Sequence, residues 1–230
     1  MTTLFNLNKD KETGVIYFPK QKKIRKFFIN KNSKNYLSRE VAGIRWYNKQ
    51  LKVKKKNFIN ILKTKNNYIE ILPIKGVQQK FWKNSWQYEY RANLVIDYYL
   101  NIWPKNYKVP SHGDLTFSNI IFDGDEIKII DWENFNKNNL WGYDLCYFLI
   151  SFILLPNINS KKNVINENDL HVFKKLWLKV FKNEKFKYLK NPINFLKTNF
   201  RLTNNMKRNK NFFINKVSKQ KIEQVNEIIL

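Results

Sequence analysis

Short apolar runs punctuated by turn residues open the chain, and helical spacing takes over only later. Leu4 to Leu7, Val15 to Phe18 and Ile24 to Ile29 are brief and rich in β-branched and aromatic residues, which predicts three strands, with the KDKETG segment as a turn after the first. Side chains alternate along a strand, so Ile24, Lys26 and Phe28 share one face of the third, and the apolar neighbours on either side of Lys26 turn its charge inward. A register slipped by one residue would put Lys23 or Arg25 there instead. Leu37, Val41, Ile44 and Leu51 then recur at helical spacing with Glu40 on their stripe. A carboxylate on a buried face requires a cationic partner. Phe58 to Leu62 and Tyr68 to Leu72 predict two more strands, the second ending at Pro73.

From Gly76 onward the pattern is mainly helical. Phe81 to Trp103, closing at Pro104, predicts a long helix. Leu145 to Pro156 is apolar apart from Ser151 and predicts a buried one. Leu170, Phe173, Leu176, Trp177, Val180 and Phe181 mark an amphipathic helix, Pro192 opens another, and Phe212 to Leu230 forms the last. Gly142-Tyr143-Asp144 starts the apolar helix with Asp144 as its cap, and the Asn-rich stretch before it, up to Asn139, is expected to be a loop. The pattern describes an α+β chain.

One stretch, SHGDLTFSNIIFDGDEIKIIDWE from Ser111 to Glu133, interrupts this alternation with chemistry. Asp123-Gly124 is a turn signal between two apolar arms, Ile120 to Phe122 and Ile127 to Ile130. A hairpin brings its ends together, so Asp131 should return beside Asn119. One oxygen from each suffices for a magnesium ion, which takes one or two protein ligands and fills its octahedron with phosphate and water. Asp114 is then left to accept, or orient, the proton of an attacking hydroxyl. Asp, Asn and Gly also dominate ordinary turns; it is the joint spacing that points to chemistry. D-x-x-x-x-N, an apolar arm and a second Asp match the catalytic loop and metal-binding Asp of kinases.

Two departures refine that match: the loop is His112-Gly113-Asp114, not His-Arg-Asp, and the second Asp begins Asp131-Trp132-Glu133, not Asp-Phe-Gly. In both respects the chain resembles the aminoglycoside phosphotransferase and choline kinase family of small-molecule kinases. The resemblance implies a bilobal protein-kinase-like fold, with a small antiparallel-sheet N-lobe carrying one helix (residues 1–75, nucleotide-binding) and a larger, mainly helical C-lobe (residues 76–230, catalytic and substrate-binding). It implies ATP between the lobes, its phosphates held by Lys26, Glu40 paired with that lysine, Mg2+ on Asn119 and Asp131, and γ-phosphoryl transfer to a small-molecule hydroxyl beside Asp114. His112 would orient the loop, Asp144 would steady it, and Glu70 to Pro73 would offer backbone groups to adenine. Glu133 is left between a metal-bound water, the substrate and a turn cap. No GxGxxG is present, only Gly14 in the relevant stretch, which leaves phosphate cover in the small lobe without an assigned element.

Composition changes this picture little. The 230 residues are 43% hydrophobic and 16% aromatic, enough for a real core. Cys146 is the only cysteine, which excludes an internal disulfide, and neither a spanning segment nor a signal peptide is evident, so a cytoplasmic protein is expected. A net charge of +25 raises the alternative of a basic nucleic-acid-associated protein, but the lysines are spread over nearly the whole length with abundant Asn and Ile, as a bias toward AT-rich codons would produce. The field still favours anionic ligands. A catalytically silent kinase-like binding protein is a further alternative, although it would not need Asp114, Asn119 and Asp131 together. Trp82, Trp86, Trp132, Trp141 and Tyr143 are either a cage for a choline-like cation or core. His171 has no companion at metal-ligand spacing.

Overall fold

The structure, a computed structural model, describes residues 5–7, 13–29, 33–53, 58–78, 85–158, 160, 164–203 and 212–229. The chain divides into two compact units: Met1–Gln79 with Leu100–Asp114 and Ser118–Trp141, and Lys80–Tyr99 with Leu115–Phe117 and Gly142–Leu230.

The first unit is built on a five-stranded antiparallel sheet of order β1-β2-β3-β5-β4, with β1 Phe5–Leu7, β2 Thr13–Phe18, β3 Lys23–Phe28, β4 Ile61–Thr64 and β5 Tyr68–Ile71. The register sets Arg25 opposite Glu70 and Lys26 opposite Ile69, so neighbouring cations of β3 leave the sheet on opposite faces. Helix α1, Ser33–Val53, buries Leu37, Val41, Ile44, Tyr47 and Leu51 on its apolar stripe. Strand β4 starts later than the apolar run from Phe58 suggests. The Asn48 side chain accepts from the Ile59 N–H (2.9 Å) and donates to its carbonyl (2.8 Å), which takes that backbone out of the ladder and leaves Phe58 exposed.

Two smaller sheets complete this unit. Strand β6, Val77–Gln78, pairs with β8, Ile120–Asp123, which forms the expected hairpin with β9, Glu126–Ile129. Strand β7, Lys108–Ser111, pairs with β10, Asn136–Leu140. Asn is a poor strand former, and here the expected loop is overridden by the unpaired backbone that β7 offers. The asparagines remain irregular within it: the register shifts between Asn136 and Asn139, and the Asn136 side chain accepts from the Asn138 N–H at 3.0 Å.

The second unit is helical. It holds α2 (Ser85–Ile102) as far as Tyr99, then α3 (Tyr143–Leu154), α4 (Glu167–Phe181), α5 (Pro192–Thr203) and α6 (Lys219–Ile229). Every residue of α3 is buried, the polar Asp144 and Ser151 among an otherwise apolar sequence; each large apolar side chain so covered contributes about 1.5–3 kcal/mol. Its N-cap is Gly142, at φ +77°, where a Cβ would stand 2.8 Å from the Tyr188 hydroxyl oxygen. Asp144 therefore lies buried in the first turn and is not the cap, because the left-handed backbone at that point leaves the cap to glycine. The expected last helix is broken at Val217–Ser218, after a 3-10 turn at Phe213–Lys216. No helix among the described residues is long and apolar enough to cross a membrane.

Candidate active site

The site lies wholly within the first unit, and a glycine sets its depth. A Cβ on Gly43 would meet Trp132 Cβ at 2.7 Å and Cε3 at 2.8 Å, so only glycine lets α1 press against the turn after β9. Trp132 is fully buried there among Tyr47 (ring centroids 5.0 Å apart), Trp46, Trp103 and Phe135. Its indole N–H donates to the Ile129 carbonyl at 2.9 Å, and the Ile129 N–H donates to the Tyr47 hydroxyl at 3.2 Å. Helix and hairpin are thereby locked to one another, which carries Glu40, three residues before Gly43, to the residues that follow β9.

There Lys26 is the centre of a four-residue cluster. Its Nζ bonds Glu40 Oε2 at 3.0 Å, lies 3.4 Å from Glu133 Oε2 and donates to Asp131 Oδ1. The expected pairing of Lys26 with Glu40 is present in the structure. Lys23 and Arg25 leave by the other face and converge on Glu70. Three carboxylates thus surround one ammonium. Burial opposes the charge on Lys26, but Asp131, Glu40 and Glu133 outweigh it and hold the ammonium well above its ordinary value. Burial pushes the Glu40 carboxyl up to about 7; Lys26 pulls against this, while Asp131 and Glu133 push the same way. Glu133 is buried in the turn Trp132–Asn134, facing the lysine. Its sequence signal was the DWE triplet, which suggests a role without choosing among the candidates.

The hairpin returns Asp131 to Asn119 as its ends require: Ile120 pairs with Ile129, and the Ile130 N–H donates to the Asn119 carbonyl at 2.9 Å. Asp131 sits at φ +67°, a left-handed conformation that Asp tolerates better than most residues, with 40% of its side chain exposed. Asn119 donates its amide nitrogen to the Asp114 carbonyl at 2.7 Å, which leaves the amide oxygen for another partner. An amide oxygen and a carboxylate beside an excess of negative charge suit a hard divalent cation. Among the described residues no group of three or more His, Cys, Asp and Glu is arranged to hold a metal. A cation on Asn119 and Asp131 would therefore take its other oxygens from nucleotide and water.

His112 is fully buried and ties the loop to the hairpin. Its Nδ1 accepts from the Asp114 N–H at 3.3 Å, so in the neutral ring Nε2–H donates to the Ile130 carbonyl at 2.8 Å. Burial pushes its pKa down to about 4, against the opposing hydrogen bond to Ile130, which keeps that tautomer neutral. Gly113, at φ +87°, has no room for a Cβ, which would fall 2.3 Å from the Asn134 carbonyl oxygen. Asp114 is thus held between His112 and Asn119, with its side chain half-buried.

The aromatic cage is not formed by Trp132, Trp141 and Tyr143. Trp132 fills the first unit's core, Trp141 is 2% exposed with Lys105 5.2 Å from its ring centroid, and Tyr143 is 3% exposed in the second unit. Trp82 lies outside the described residues, as does the Trp86 side chain. The sequence reading passed over Gly43 and Tyr47; an isolated glycine inside a helical pattern was the available signal for a close approach.

No family model matches the chain, and no curated protein does. Solved structures do. A streptomycin–ATP ternary complex of APH(2")-IIa is 10% identical with a TM-score of 0.50, over 98% of this chain and 93% of that one. Amicoumacin kinase, in complex with AMP-PNP, Ca2+ and amicoumacin, is 13% identical with a TM-score of 0.51, over 99% of this chain and 86% of that one. Both are small-molecule kinases, and it is their protein-kinase-like fold that this chain shares over nearly its whole length.

Proposed function

We propose that the chain is an ATP-dependent phosphotransferase that moves the γ-phosphoryl group to a hydroxyl of a small molecule such as a sugar or amino alcohol. The observation that carries this reading is the convergence of β3, α1 and the β8–β9 hairpin on Lys26, Glu40 and Asp131. Residues 1–75 bind nucleotide, and residues 76–230 supply the catalytic loop and the acceptor site. Lys26, fixed by Glu40, binds phosphate oxygens. Asn119 and Asp131 hold Mg2+, which neutralises phosphate charge when bound. Asp114 accepts or orients the acceptor hydroxyl's proton, and His112 positions Asp114 without itself titrating near neutral pH. The single thiol, Cys146, is buried and fits a reducing, cytoplasmic setting.

The test is 31P NMR of ATP turnover with choline, ethanolamine, hexoses, aminoglycosides including streptomycin, and amicoumacin, for native and Asp114→Ala protein. A phosphorylated acceptor with native protein, and a rate lower by about 10²–10⁴-fold in the variant, is expected. Equal rates would overturn the catalytic assignment and leave a kinase-like binding protein.

A further inference from the structure

Helix α1 also lines a cleft outside the Lys26 cluster. Lys34, Leu37, Val41 and Arg45 follow one another at spacings of three and four residues, a row along the edge of the apolar stripe of α1. Together with the β4–β5 turn they line a cleft of about 580 Å3, within the range of small-molecule sites. Its wall is apolar, with Leu37 and Val41 buried, and its rim carries Lys34, Arg45 and Lys65 beside the Thr64 hydroxyl. No Asp or Glu lines it, and none of the three cations has a carboxylate partner among the described residues.

This separates the cleft from the cations of β3. Lys26 is surrounded by three carboxylates, and Lys23 and Arg25 share Glu70. Here three cations and a hydroxyl face a partly apolar hollow with no internal counter-ion. Cations along the rim favour an anionic group, and a phosphomonoester supplies more anionic oxygens than a single carboxylate. The apolar wall adds contact for a hydrocarbon or ring body. The size suits a compound rather than a chain segment. The geometry points to a second binding site, outside the Lys26 centre, for a small phosphomonoester with an apolar body.

The experiment is calorimetric titration of the full chain with 1-naphthyl phosphate, with inorganic phosphate and 1-naphthol as half-ligands. Saturable binding is expected for the phosphomonoester and weaker binding for each half. An Arg45→Glu/Lys65→Glu variant should weaken it by tenfold or more. Lys174→Glu/Lys185→Glu, an equal change of charge at exposed positions of the other unit, should leave it unchanged. No saturable binding, equal weakening in both variants, or undiminished binding in the cleft variant would overturn the proposal. So would tighter, cleft-dependent binding of polyglutamate, which would mark an acidic-peptide surface instead. The readout is binding without turnover, so it stands or falls separately from phosphotransfer.

Discussion

Strand β3 carries two ion clusters on opposite faces, and their stoichiometry is inverted. At Lys26 one ammonium meets three carboxylates. At Glu70 one carboxylate meets two cations, Lys23 at 2.9 Å and Arg25, whose guanidinium also lies 4.4 Å from the Tyr68 ring centroid and 5.1 Å from that of Phe18. Burial pushes Glu70 up, but hydrogen bonds from Lys23 and Arg25 overcome it and hold the carboxyl below its ordinary value. That cluster is electrostatically satisfied, and its surplus positive charge is half-buried, the side chains of Lys23 and Arg25 being 18% and 26% exposed. The Lys26 cluster has a surplus of negative charge, which a proton on Glu40 or a further cation can relieve. Cross-strand ion pairing serves the sheet at Glu70; at Lys26 the same chemistry leaves carboxylates in excess.

The sharpest way to break this contrast is Asp131→Asn. Turnover should fall by about 10²–10³-fold, the loss typical of one group that stabilises transition-state charge. Thermal stability should hold or rise, because one of three like charges is removed and Asn tolerates the left-handed backbone. A parallel loss of stability would make Asp131 a structural bridge like Glu70.

Next in size is the response to acid. An unfolded His112 binds a proton below about pH 6.5, whereas the folded ring does so only below about 4. Its contribution is therefore complete above pH 6.5 and is lost as pH falls from there to 4, about 3 kcal/mol in all. Urea unfolding across that range should show the decline, and His112→Gln should flatten it.

Gly43→Ala should cost about 1–3 kcal/mol by overpacking against Trp132, measurable by the same unfolding, and should weaken nucleotide binding by moving Glu40 from Lys26. The smallest effect is expected at the satisfied cluster: Glu70→Gln should cost about 1 kcal/mol and leave turnover unchanged. A large fall in turnover there would erase the distinction between the two faces.

Much of this was legible along the chain because it rests on local rules. Alternation placed β2, β3 and β5, and the helical stripe placed α1 and Glu40. A two-residue turn signal between apolar arms placed the hairpin that returns Asp131 to Asn119. Where a side chain intervened, local rules failed: Asn48 captured the backbone at Ile59, and β7 drew an Asn-rich segment into a strand.

By itself the sequence determined the order of the candidate residues and the faces they share, since period-two and helical spacing assign faces before any packing occurs. Only the tertiary structure decided that Lys26 would be shared among Glu40, Asp131 and Glu133, and that its neighbours Lys23 and Arg25 would serve Glu70. Those pairings join residues far apart in sequence, and their distances depend on how closely two elements approach. That approach is set by the missing Cβ of Gly43 over the buried Trp132 ring.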